Sequence, residues 1–315
     1  MPTIRDDDSG YNQVLKIART VFDNPKRHFD FNFSKCSKLD HNAVAILGGL
    51  TRYVDFQNSS TQRTISGVLK SNLFADAGVM FLVTTMSSVV SGHLISNNFL
   101  SHFSAAVDED YPVGGYIGYR EHNNLLNEDN IADHLRSQWL SGEKLKLSHL
   151  LKDAIVSRIF EIFMNAYGHG VSIQNIGKLG VYSCGQYDKK EKKLNISVLD
   201  FGPGIVENVK RFNSSITDSH RAMEWALAKG NTTATDSQGA NIPRGLGFDL
   251  LHEFIALNDG EMRVYSNDVQ VLIKDKEKVK IIKSKSYFNG TLVSIKINCD
   301  DKEYYFKSED QPQYF

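Results

Sequence analysis

The sequence predicts an α/β protein in two parts, a small α/β domain over residues 1–122 and a larger α/β domain over 123–315. Three observations predict it. Strand and helix patterns alternate through the first third, a β-branched run at 194–199 ends in Asp-x-Gly-x-Gly, and a Gly-x-Gly at 245–247 leads into an amphipathic stretch. A chain of 315 residues also suits two domains at roughly 100–200 residues each.

In the N-terminal part, Phe29-Asp30-Phe31-Asn32-Phe33 alternates as a strand does, and residues 42–56 carry a helical stripe through Val44, Ile46, Leu47, Leu50 and Val54. Arg63 to Leu69 reads as a second strand, Ser71 to Ala77 as a short helix, and Val79 to Val83 as a third strand. Helices between strands favour parallel pairing. The Gly- and aromatic-rich segment Tyr111 to Tyr119 reads as a strand and hairpin, and the polar run Asn123 to Asn130 marks the boundary.

Beyond that boundary, Leu151, Ala154, Ile155, Ile159, Ile162, Phe163 and Ala166 recur with a period near 3.6, which predicts a helix over 151–166. Glu161 and Asn165 stand one turn apart on a face beside that stripe. A carboxylate can accept a proton from water, and an amide oxygen can ligate a hard cation such as Mg²⁺. Alone, the spacing more often describes an exposed polar pair.

Leu194 to Leu199 is a strand pattern, and it ends at Asp200-Phe201-Gly202-Pro203-Gly204. An acceptor-only carboxylate at a strand end, beside backbone without side chains, suits an amino group on a flat ring that must come close, although Asp and Gly are also ordinary turn residues. Gly245-Leu246-Gly247 precedes Phe248 to Ile255, a helical stretch. Backbone amides and the positive dipole at such a helix start suit phosphate. Between these two clusters, Asn213 to Arg244 is polar and Gly-bearing, as a mobile lid would be.

The ordered set, Glu161-x-x-x-Asn165-Ala166, then Asp200-x-Gly202-x-Gly204, then Gly245-x-Gly247-Phe248, resembles the N, G1 and G2 boxes of the GHKL superfamily of ATPases and kinases. Asn258 to Ser266 looks like that family's turn and strand after the G2 helix, and Gly290-Thr291 to Ile295 like its closing strand. The resemblance implies a two-layer α/β sandwich that binds ATP with Mg²⁺. It implies Glu161 as general base and Asn165 as Mg²⁺ ligand. Asp200 would accept from the adenine amino group, Gly202 and Gly204 would let the purine pack closely, and Thr291 would support the adenine side. Gly245, Leu246, Gly247 and Phe248 would wrap the phosphates. The continuation Asn165-Ala166-x-x-His169-Gly170 is nearest the anti-sigma-factor serine kinases, with Gly170 also suited to stop the helix. Phe29 to Leu50 resembles a STAS domain, with Asp40 at the expected place but His41 and Asn42 where a phosphorylatable Ser would stand.

Thirty-six basic against 37 acidic residues, a formal charge of −1, demand neither nucleic acid nor a membrane surface. Cys36, Cys184 and Cys299 are far apart and form no C-x-x-C pair, which argues for a reducing cytoplasmic setting without disulfides or a zinc site. The lysine-rich runs at 189–193 and 274–285 read as solvated hairpin tips. His149 reads as a helix-surface residue. Once ATP is granted, three functions fit: an ATPase switch acting on a partner protein or a second copy, an anti-sigma-type serine/threonine kinase, or a nucleotide-binding scaffold without turnover.

Overall fold

The computed structural model describes residues 1–65, 78–103, 116–122, 128–171, 179–228, 231, 248–274 and 279–309. The first elements are β1 (Pro2–Ile4), α1 (Asp8–Phe22), β2 (Phe29–Asn32), β3 (Lys35–Leu39), α2 (His41–Ile65), β4 (Val79–Leu82) and α3 (Ser88–Ser96). They pair as two short parallel ladders, β1 with β3 and β2 with β4. The expected parallel pairing is there, in two separate pieces rather than one sheet.

The second set is β5 (Tyr116–His122), α4 (Glu128–His134), β6 (Lys146–Leu147), α5 (His149–Asn165), β7 (Val181–Asp188), β8 (Lys193–Asp200), α6 (Ile205–Phe212), α7 (Ser219–Leu227), α8 (Phe248–Leu257), β9 (Glu261–Lys274), β10 (Lys280–Asn298) and β11 (Glu303–Tyr304). Five of these strands form an antiparallel sheet in the order β5-β7-β8-β10-β9. This α/β fold follows the prediction. One element sits elsewhere than expected: β5, placed before the boundary at 122, is the edge strand of this sheet.

Strand alternation decides what each face of the sheet carries. Leu194, Ile196 and Val198 on β8, with Val293, Ile295 and Ile297 on β10, pack under α5 and α8. The opposite face presents Tyr182, Leu199, Tyr265 and Leu292 to α1 and α2, so the N-terminal helices form a further layer on the sheet. Helix α1 starts at Asp7, whose carboxylate accepts the Gly10 amide at 2.8 Å, and it buries Tyr11, Val14, Leu15, Ala18, Val21 and Phe22 along one stripe. Tyr11 stacks on Tyr265 at 4.9 Å, and Asp8 pairs with Arg263 of β9.

Helix α2 lies close to the sheet because Gly48 and Gly49 have no side chains. A Cβ on Gly48 would stand 2.2 Å from the Tyr119 ring, and one on Gly49 would stand 2.8 Å from the Phe201 ring. Phe201, the residue after Asp200, sits in an aromatic group with Phe22, Tyr53 and Phe288. Gly49→Leu is expected to lower stability by about 1–3 kcal/mol, the usual cost of overpacking. An unchanged urea midpoint would show that α2 does not rest on Phe201.

Two local expectations are corrected. Residues 63–65 are the end of α2 and not a strand, because extending an existing helix needs no new nucleus and the lower helix propensity of Thr64 and Ile65 costs only tenths of a kcal/mol. The expected strand at Val79 to Val83 ends at Leu82, and after it the chain turns and starts α3, where Ser87 Oγ accepts the Val90 amide. The remainder of the expected strand to Leu69, and the short helix at 71–77, lie outside the described residues. All three cysteines are buried thiols. Among the described residues no helix is long and apolar enough to cross a membrane.

Candidate functional site

The β8–β10 register sets Thr291 opposite Asp200 at the end of both strands. By alternation from Val198 and Val293, both side chains point to the α5 layer. Asp200 is 4% exposed. Its Oδ1 accepts the Gly202 amide at 2.8 Å, and the Thr291 backbone and hydroxyl also hydrogen-bond to it. Burial raises its pKa to about 7, and the Gly202 and Thr291 bonds pull only part of the way back.

The glycines around it answer to the protein's own packing. Gly290 has φ +127, and a Cβ there would meet the Asp200 carbonyl oxygen at 2.0 Å, so only glycine lets β10 approach the strand end. Gly204 has φ +84, and its Cβ would fall 2.5 Å from Asn267 Oδ1 and 2.7 Å from Ser266 Oγ. Those two side chains hold the start of α6. Ser266 Oγ accepts the Ile205 amide at 2.7 Å, and Asn267 Oδ1 accepts the Glu207 amide at 3.3 Å. Asn267 Nδ2 donates to the Pro203 carbonyl at 2.8 Å and to Tyr287 Oη at 2.9 Å.

Sequence reasoning missed Ser266 and Asn267 as functional supports. The available signal was Ser266-Asn267-Asp268 inside a strand pattern. Asn267 does take a left-handed φ of 56, beside the register shift between Phe288 and Thr291. Asn267→Ala is expected to cost about 1–2 kcal/mol through the lost cap and the stranded Pro203 carbonyl. Chemical denaturation with an unchanged midpoint would remove this support role.

Helix α5 starts with Ser148 Oγ accepting the Leu151 amide and buries Leu151, Ile155, Val156, Ile159, Ile162 and Phe163. Glu161 and Asn165 are half-buried beside that stripe. Glu161 ion-pairs with Arg158 one turn back, a partner the sequence reading did not consider. His149 is exposed at the helix start, with Nδ1 3.2 Å from Asp153. The chain does not stop at Gly170: a wider helical turn continues α5 over Ala166–Val171 and packs against β8 and β10.

The fold thus joins Asp200, Gly202 and Thr291 directly, holds Gly204 within the same loop, and brings the continuation of the Glu161–Asn165 helix against the same two strands. Gly245, Leu246 and Gly247 lie outside the described residues, while Phe248 is the first residue of α8, consistent with a Gly-rich lead into a helix. Of the expected lid, residues 213–228 are described and include α7, capped by Asp218 on the Arg221 amide at 2.9 Å. Residues 229–230 and 232–244 lie outside the described residues.

No family model matches the chain, and no curated protein matches it. Among solved structures it is similar to the histidine kinase domain from Erythrobacter litoralis EL346 blue-light activated histidine kinase, at 12% identity. That alignment covers 92% of this chain and 93% of that chain with a TM-score of 0.26. A TM-score that low leaves the functional reading to the residues themselves.

Proposed function

We propose that the chain binds Mg·ATP on the α5 side of the sheet and hydrolyses it as a conformational switch. The observation that carries this reading is Asp200. Burying a carboxylate until it titrates near neutrality is costly, and groups shifted this far concentrate at functional sites. A ligand amino group donating to it would restore its charged form.

In this reading Asp200 accepts from the adenine amino group, with Thr291 and the Gly202 amide fixing the carboxylate. Glu161 acts as general base for water, and Asn165 offers its amide oxygen to Mg²⁺, which neutralises phosphate charge when bound. Gly245 to Phe248 wrap the phosphates at the start of α8. The site is of the GHKL kind, and the antiparallel sheet under α5 and α8 supports that class. The STAS-like N-terminal third, seated on the sheet's other face, is proposed to pass the nucleotide state to a protein partner in the cytoplasm.

Purified protein incubated with γ-labelled ATP, alone and with cell extract, tests the reading. Release of free phosphate by the protein alone is the expected result. Label appearing on a serine or threonine of an added protein would replace the switch by an anti-sigma-type kinase. Binding without either product would leave a scaffold.

A further inference from the structure

The face of the sheet away from Asp200 changes character along the strands. Near the Asp200 end it is aromatic and apolar, but five residues back on β8 a polar row crosses it, with Gln186, Asn195 and Lys296 in register on β7, β8 and β10. The N-terminal segment roofs this row. Lys296 Nζ pairs with Asp6 at 2.7 Å, and His41 Nε2 lies 3.4 Å from Ser294 Oγ. Between roof and row is a cleft of about 210 Å³, smaller than the roughly 300–1,000 Å³ pockets of drug-sized ligands.

The hydrogen-bonding capacity left over in this cleft is specific. Asn195 is 93% buried, since only 7% of it is exposed, and its Oδ1 has no hydrogen-bond partner among the described residues. A buried acceptor without a donor is a cost to the fold that a bound donor removes. The Arg5 guanidinium, the Lys193 ammonium and the Gln186 amide also line the cleft and have no partner among the described residues. Most of the acids there are engaged: Asp6 with Lys296, Asp40 with Lys38 at 2.9 Å, Asp7 as the α1 cap, and Asp188 with the Lys190 and Glu191 amides at 3.0 Å. Among the described residues, Glu191, exposed on the hairpin tip, is the lining carboxylate left without a partner.

The unmet demand is therefore of both signs within one small space. Two cations call for a carboxylate, while a buried amide oxygen and one free carboxylate call for an ammonium. Five lining acids against four lining bases disfavour a multiply charged phosphate. We propose that this cleft binds an α-amino acid as its zwitterion, with the carboxylate on Arg5 and Lys193 and the ammonium donating to Asn195 Oδ1. Because β8 carries Asn195 on one face and Asp200 on the other, about 17 Å apart at 3.4 Å per residue, the ligand would act as an effector at a second site.

Calorimetric titration of the full chain with each proteinogenic L-amino acid, with acetate and with L-lactate tests this. At least one amino acid is expected to bind, while acetate and lactate bind at least tenfold more weakly. The double variant Arg5→Ala/Lys193→Ala and the single variant Asn195→Ala should each lose tenfold or more in amino-acid affinity. ATP titrated into the double variant should bind as to the wild type, which separates this site from the nucleotide site. No binding by any amino acid, equal binding of acetate or lactate, or undiminished amino-acid binding in the double variant would each overturn the proposal.

Discussion

Glu161→Ala is expected to keep ATP binding within a few-fold of wild type and to slow turnover by about 10²–10⁴-fold, the usual worth of a positioned general base. The side chain lies on the half-buried flank of α5, outside the hydrophobic stripe, so its truncation leaves no cavity in the core. Its ion pair with Arg158 is a helix-surface pair in which both members are a third or more exposed, worth a few tenths of a kcal/mol. A folding defect therefore does not accompany the truncation.

Two comparisons sharpen that result. Arg158→Ala frees Glu161 from its ion pair without removing it and should retain turnover within tenfold. Asn165→Ala should instead lose Mg²⁺-dependent affinity, because an amide oxygen ligates a hard cation but takes no proton. Steady-state phosphate release and nucleotide titration with and without Mg²⁺ separate the three. Wild-type hydrolysis by Glu161→Ala would end its assignment as base and favour a scaffold.

What the sequence disclosed and what it withheld follow from how local each signal is. Helix α5 and strand β8 were legible because a 3.6-residue stripe and a β-branched run are properties of neighbours in the chain. Strand alternation carried that reading further: once Val198 faces the α5 core, Asp200 must face it too. Helix α1 was equally local, with Asp7 three residues before Gly10 and a stripe from Tyr11 to Phe22, although the expected elements begin only at Phe29.

Other features depended on partners distant in sequence. Nothing near Gly204 announces that Asn267 occupies the space beside it, and nothing near Gly49 announces Phe201. β5 was placed with the wrong neighbours because a Gly-rich segment carries little face information and its partners on β7 lie 59 to 70 residues away. The polar row through Asn195 was invisible for the same reason: Gln186, Asn195 and Lys296 become neighbours only through two strand registers.

Asp200→Asn is expected to weaken ATP binding by about 10–150-fold, the loss of a hydrogen bond to a charged acceptor at about 1.5–3 kcal/mol, while leaving the protein folded. The size and shape of the side chain are kept, and its oxygen can still accept from the Gly202 amide. The pH dependence makes the assignment specific. With a pKa of about 7 in the free protein, the carboxylate is increasingly protonated as pH falls below neutrality, and a protonated carboxyl is a poorer acceptor for the adenine amino group. Wild-type affinity should therefore fall by up to tenfold per unit below pH 7. Nucleotide phosphates titrate in the same range, but they do so equally in both proteins, so the ratio of wild-type to Asp200→Asn affinity isolates the side chain. Stability should move the opposite way. The folded pKa lies above the ordinary carboxylate value of 3.8, so the folded state holds a proton that the unfolded state has released. That contribution is fully present below pH 3.8 and is lost as pH rises through about 7, so it lowers wild-type stability across this window relative to Asp200→Asn. A wild-type to variant affinity ratio that stays constant from pH 5.5 to 8, to within about twofold, would remove Asp200 from the nucleotide site.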